Sequence, residues 1–108
     1  MNDILKKLYD TAEERKNNPV EGSYTCYLFD KGIDKILKKC GEECSEVIIA
    51  AKNGDNSETV LEISDLLYHL TVLMVESGIK PEKVYAELEK RTQKTGNLKH
   101  FHSVDKNS

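Results

Sequence analysis

Four carboxylates carry the chemistry-bearing pattern of this chain: Glu43-x-x-Glu46 and Glu62-x-x-Asp65. Between them lies Lys52-Asn53-Gly54-Asp55-Asn56-Ser57, a turn signal separating two helically periodic runs. Counted outward from Gly54, Glu46 and Glu62 each stand eight residues away, and Glu43 and Asp65 each eleven. In an antiparallel helical hairpin closed at Gly54, Glu46 is therefore level with Glu62, and Glu43 with Asp65. Acids crowded at one height raise each other's pKa values and destabilise the site unless a cation offsets them. Hard oxygen donors of this kind suit Mg²⁺, with Mn²⁺ as second choice.

The facing of these side chains points the same way. In the first run Ile33, Ile36, Leu37, Cys40, Cys44, Val47, Ile48 and Ala51 form one apolar stripe. Glu43 falls roughly 80° from its centre and Glu46 about 140° to the same side, at about 100° per residue. In the second run, Val60, Ile63, Leu66, Leu67, Leu70, Leu73 and Met74 form the stripe. Glu62 and Asp65 lie roughly 90° and 150° off it in the matching direction. An antiparallel pair then brings both acidic pairs to one face of the hairpin. Acids flanking a stripe are also ordinary helix surface, often paired with Lys four residues away, as Lys39–Glu43 and Lys38–Glu42 are. Matched height and matched flank in all four favour a metal site.

The neighbours extend the chemistry. A carboxylate-bound Mg²⁺ with open positions engages phosphate oxygens and lowers the pKa of a bound water. Glu42, pointing further round the helix, either orients that water or faces solvent. Lys38 and Lys39, about one turn from the acids, either neutralise phosphate or are solvated. His69, four residues after Asp65, either hydrogen-bonds a ligand carboxylate from behind or is a polar helix-edge residue. No P-loop, G-x-G-x-x-G, G-x-S-x-G or H-E-x-x-H pattern occurs, so P-loop and serine-nucleophile mechanisms lack support. Metal-assisted hydrolysis of a diphosphate linkage fits what is present.

The composition bounds the class. A chain of 108 residues, 32% charged and 38% hydrophobic, reads as one ordinary globular domain with a modest core. A net charge of −3 argues against nucleic-acid binding, which needs a basic face. No apolar run approaches the ~20 residues that span a bilayer, and the start of the chain lacks a signal-peptide core, so a cytosolic location is expected. Cys26, Cys40 and Cys44 lack C-x-x-C spacing, so zinc or disulfide roles are not expected. Cys40 and Cys44 are expected to pack as small buried thiols on the stripe.

The elements that must position the acids follow from periodicity and stop signals. A first helix is expected from Asn2 to about Arg15, ended by Lys16-Asn17-Asn18-Pro19. Val20 to Asp30 reads as a connector that packs on the body through Tyr24, Tyr27, Leu28 and Phe29, with Ser23 or Thr25 capping a short helical turn. The hairpin helices run from about Ile33 to Lys52 and from about Ser57 to Ser77, with Asp55 or Ser57 as the second cap and Gly78 as its stop. Pro81 opens a helix to about Thr92. The domain spans residues 1–95, and residues 96–108, including His100 and His102, read as a polar, mobile tail. An all-α fold follows. The hairpin exposes more apolar surface than one short helix covers, so a homodimer that completes a four-helix-type bundle is expected.

Ser23-Tyr24-Thr25, Lys38-Lys39-x-Gly41-Glu42-Glu43-x-x-Glu46, Ala50-Ala51-Lys52 and Glu62-x-x-Asp65-Leu66-Leu67-Tyr68-His69 together resemble the phosphoribosyl-ATP pyrophosphohydrolases, MazG-like all-α enzymes of histidine biosynthesis. The resemblance spans roughly residues 3 to 92. It implies a MazG-like bundle and Mg²⁺-dependent hydrolysis of phosphoribosyl-ATP to phosphoribosyl-AMP and pyrophosphate. It implies Glu43, Glu46, Glu62 and Asp65 as metal ligands, with Glu42 in the catalytic acidic motif. Ser23, Tyr24, Thr25, Lys38 and Lys39 become substrate-side residues. After Arg91 the chain departs from the Ser-Gly segment common in the family. Two other readings compete: a MazG-like enzyme acting on other nucleoside triphosphates, and a non-catalytic helical dimer.

Overall fold

The computed structural model describes residues 3–94. The tail 96–108, with His100 and His102, lies outside the described residues. Five helices follow in order: α1 (Ile4–Asn17), α2 (Tyr24–Lys31), α3 (Ile33–Lys52), α4 (Asn56–Ser77) and α5 (Pro81–Thr92). No strand occurs among the described residues, and no described helix is long and apolar enough to cross a membrane.

The α3–α4 hairpin is the frame of the molecule and its most extensive helix contact. Its turn is chemically specified. Asn53 ends α3, and Gly54 takes φ +71°, a left-handed conformation in which a Cβ is strained. The Gly54 and Asp55 amides donate to the carbonyls of Ala51 and Ala50, satisfying groups the helix end would orphan. The Asp55 carboxylate accepts from the Glu58 amide at 3.0 Å and caps α4.

The segment expected as a connector is partly helical. Tyr24–Lys31 forms α2, eight residues long, because the Ser23 hydroxyl caps it by accepting from the Cys26 amide at 3.2 Å. Burial of Leu28 then pins it. Its apolar residues do not show the repeated stripe of a long helix, which is why periodicity alone reads the segment as loop. Gly32, at φ +90°, turns the chain from α2 into α3 without a longer connection.

Two small cores hold these pieces. Tyr9, Ala12 and Val75 join α1 to α4, and Leu28, Ile36 and Val72 join α2, α3 and α4. Phe29 packs against both. Full burial of Leu28, Ile36 or Val72 stabilises by roughly 1.5–3 kcal/mol each. Much of the hairpin stripe stays exposed in the single chain. Ile48 is 63% exposed and Val60 62%, and Ile33, Leu37, Ile63 and Leu67 are exposed with them. Cys44, expected to be buried on that stripe, is exposed for the same reason, while Cys40 is half-buried against the α2–α4 core.

Candidate active site

Glu43 on α3 meets Glu62 and Asp65 on α4. One carboxylate oxygen from each lies within 4.8 Å of the others. The hairpin register expected from Gly54 therefore brings Glu43 to Asp65. Glu46, one turn nearer the tip, stands outside this triplet but lines a cavity of about 150 Å³ together with Glu62. Asn53, Asp55 and Glu58 line the same cavity. Sequence reading gave Asp55 only to the cap, whereas it and Glu58 also stand beside the acids.

The electrostatics show what this crowding costs. Partial burial, a hydrogen bond with Asp65, and the charges of Glu46, Glu43 and Glu58 push the Glu62 carboxyl up to about 7. That carboxyl therefore holds its proton up to near neutrality. Oxygens around one Mg²⁺, at about 2.1 Å each, lie no more than ~4.2 Å apart. The triplet needs only small side-chain rotations to reach that spacing. All donors are hard oxygens, so the set fits Mg²⁺ or Mn²⁺ and not a thiophilic metal.

Lys39 leans into the acids: its Nζ lies 3.3 Å from Glu42 Oε1 and 3.8 Å from Glu43 Oε1. Glu42 is thereby tied to Lys39 at the edge of the cluster. Lys38, one position earlier, is exposed and makes no ion pair among the described residues.

Behind the acids, α2 is locked to α4 by two neighbouring pairs. Tyr24 Oη lies 3.0 Å from His69 Nε2, and the Thr25 hydroxyl bonds the Tyr68 hydroxyl. His69 is buried, at 5% exposure, not at a helix edge. Its Nδ1 lies 2.7 Å from the main-chain carbonyl of Asp65, not the carboxylate. A carbonyl only accepts, so Nδ1 carries the proton, and in the neutral ring Nε2 accepts from Tyr24. Burial raises the Tyr24 pKa above its ordinary value, with Lys39 opposing and Tyr68 and Glu43 adding to the rise. Tyr24 thus stands at the rim of the acidic cluster. The signal for this junction was present in Tyr24-Thr25 and Tyr68-His69, two adjacent polar pairs on separate helices, but nothing local told which pair meets which.

Residues 5–92 match the family described as phosphoribosyl-ATP pyrophosphohydrolase. The chain belongs to that family. A phosphoribosyl-ATP pyrophosphatase of Clostridium botulinum (strain Kyoto / Type A2) is 58% identical over 98 residues, covering 91% of this chain and 89% of the relative. A phosphoribosyl-ATP pyrophosphatase of Streptococcus thermophilus is 58% identical over 95 residues, 88% of this chain and 91% of the relative. The histidine biosynthesis bifunctional protein HisIE of Caldanaerobacter subterraneus is 61% identical over 92 residues, 85% of this chain but 45% of that protein. As a member of the phosphoribosyl-ATP pyrophosphohydrolase family, the chain is a hydrolase, and the acidic hairpin falls wholly inside the matched stretch.

Proposed function

We propose that the chain hydrolyses phosphoribosyl-ATP to phosphoribosyl-AMP and pyrophosphate in histidine biosynthesis, with Glu43, Glu46, Glu62 and Asp65 holding Mg²⁺. The observation that carries this reading is the convergence of Glu43, Glu62 and Asp65 in a chain of this family. Bound there, Mg²⁺ supplies charge neutralisation at the phosphate oxygens and a water of lowered pKa. The chain's own residues do the rest. The four carboxylates hold the anionic end of the substrate indirectly, through the cation they share. Lys39 neutralises charge at the edge of the site through its ion pairs with Glu42 and Glu43. Glu42 offers a carboxylate just outside the ligand set, able to accept a proton from attacking water. Ser23, Tyr24 and Thr25, at the start of α2, face the substrate side, and His69 with Tyr68 fixes where they stand.

The same reading includes a homodimer. Ile33, Leu37, Ile48, Val60, Ile63 and Leu67 leave an apolar stripe along the hairpin uncovered. A second copy laid against that stripe completes a four-helix bundle with an isologous interface.

The test is release of pyrophosphate from phosphoribosyl-ATP in the presence and absence of Mg²⁺, with Glu46→Gln as control and ordinary nucleoside triphosphates as competitors. Metal-dependent cleavage of phosphoribosyl-ATP in preference to the panel is expected. Equal or better cleavage of an ordinary triphosphate would assign the site to a different member of the superfamily.

A further inference from the structure

A second cavity, well away from the acids, lies at the α1–α2 end of the molecule. It has a volume of about 780 Å³ and opens between the end of α1, the segment 19–23 and the start of α2. Its lining includes Arg15, Lys16, Ser23, Tyr24, Tyr27 and Asp30. Nothing in the metal-site chemistry uses this space, yet the two are joined. Tyr24 lines the cavity, and its hydroxyl reaches His69 beside the acids.

The side chains differ in what they have free to offer. Lys16 is committed: its Nζ lies 3.0 Å from Glu76 Oε1 and 5.5 Å from the centre of the Phe29 ring. Arg15 makes no ion pair among the described residues. Its guanidinium has five donors and a geometry suited to a phosphate. The Ser23 oxygen accepts from the Cys26 amide, which leaves its hydroxyl proton for a ligand. Tyr24 and Tyr27, stacked with centroids 6.0 Å apart, give an apolar wall on which a flat ring can lie. Glu21 and Asp30 also line the space, and carboxylates of this kind accept from sugar hydroxyls. Cation, hydroxyl, rings and carboxylates together match a phosphorylated sugar attached to a base.

The dimensions agree. Tyr24 marks the level of His69 on α4, and Lys16 marks the level of Glu76. From Asp65 these are about 6 Å and about 16 Å along the helix at 1.5 Å per residue. A ligand with its triphosphate at the acids can therefore run past Tyr24 into the cavity.

We propose that this cavity is the subsite for the phosphoribosyl arm that distinguishes phosphoribosyl-ATP from ATP, with Arg15 as the cation that receives its phosphate. The inference rests on the activity proposed above, and it makes the α1–α2 end of the molecule the place where substrate is chosen. The acids treat both nucleotides alike, while Arg15 acts on only one of them.

The experiment separates the two readings. Binding of the product phosphoribosyl-AMP and of AMP is measured by calorimetry for the wild-type chain, Arg15→Gln and Arg15→Lys, alongside pyrophosphate release from phosphoribosyl-ATP. The wild type is expected to bind phosphoribosyl-AMP at least about tenfold tighter than AMP, the scale of one charge-assisted hydrogen bond. Arg15→Gln should erase that preference, leave AMP binding unchanged and raise KM for phosphoribosyl-ATP about tenfold with kcat within about threefold. Arg15→Lys should recover part of the preference through its charge. Equal binding of both products by the wild type, or an Arg15→Gln chain that retains the preference, overturns the subsite whatever the activity assay shows. Loss of AMP binding in Arg15→Gln, with a normal melting temperature, also overturns it, because Arg15 then serves the shared part of the ligand. Absence of pyrophosphate release from the wild type refutes the proposed activity through a separate readout.

Discussion

Tyr24 and His69 meet at 3.0 Å although they lie 45 positions apart, and the same imidazole returns to the carbonyl of Asp65 at 2.7 Å. The proposed substrate side of α2 is thereby referenced to the backbone of a proposed metal ligand on α4. Tyr24→Phe should cost ~0.5–1.5 kcal/mol of stability and His69→Ala ~1–3 kcal/mol, since the latter removes a buried ring together with both of its hydrogen bonds. Because they share one bond, the double variant should fall short of the sum by about 1 kcal/mol. Urea unfolding of the three variants measures this, and strict additivity would contradict the contact.

Glu43→Gln and Asp65→Asn keep shape and remove charge at the centre of the triplet. Each should cut turnover by more than ~100-fold, beyond the 10–100-fold typical of residues that only orient ligands, and His69→Ala should stay within that lower range. Metal-free, both ligand variants should melt at or above the wild-type temperature, because repulsion is relieved. With Mg²⁺ they should gain less than the wild type, since a ligand stabilises the state it binds. Paired melting curves and a pyrophosphate assay decide it, and near-normal activity in both variants would exclude these acids as ligands.

Glu62 gives a pH dependence of definite sign. Its folded pKa, about 7, stands above the ordinary 4.5. The folded state therefore holds the proton more tightly than the unfolded one. The stability this contributes is complete below about 4.5 and is lost as pH rises to about 7. In metal-free buffer the wild type should lose stability relative to Glu62→Gln across that window. The gain on adding Mg²⁺ should be larger at pH 8 than at pH 5, since the metal needs the ionised acid. Melting temperatures at three pH values, with and without metal, test both statements, and a parallel pair of curves would remove Glu62 from the cluster's titration.

Ile48 and Val60 are the most exposed members of the hairpin stripe. Burying an isoleucine side chain is worth about 1.5–3 kcal/mol, and an isologous interface counts each residue twice. Ile48→Glu should therefore weaken dimerisation by at least ~100-fold. Sedimentation at micromolar concentration should show a wild-type dimer with no stable folded monomer, and its melting temperature should rise with protein concentration. A compact wild-type monomer would rule the interface out.

The hairpin and its acids were legible because α-helical period and a glycine turn fix both height and facing. Ile33, Lys52 and Ser77 fall where caps and stop residues put them. Three things were not legible, each for a physical reason. The helix α2 is too short for periodicity, and only the Ser23 cap and the burial of Leu28 reveal it. His69 was read either as a partner of a ligand carboxylate or as a helix-edge residue, and neither reading foresaw its burial, which comes from α2 packing over it, a long-range event. Arg15 entered the sequence reading only as the end of the first helix, and only the packing of α1 beside α2 sets it at an open cavity.

The turn at Gly54 has a kinetic side. Because α3 and α4 are consecutive, the acids are joined by local chain closure, the fast kind of folding event. That same event forces like charges together, so it works against its own products. Dissolved divalent ions should therefore speed refolding as well as turnover, and refolding rates in Mg²⁺ and in chelator, compared with those of Asp65→Asn, would show it. That result would make the ionic medium part of this chain's folding pathway.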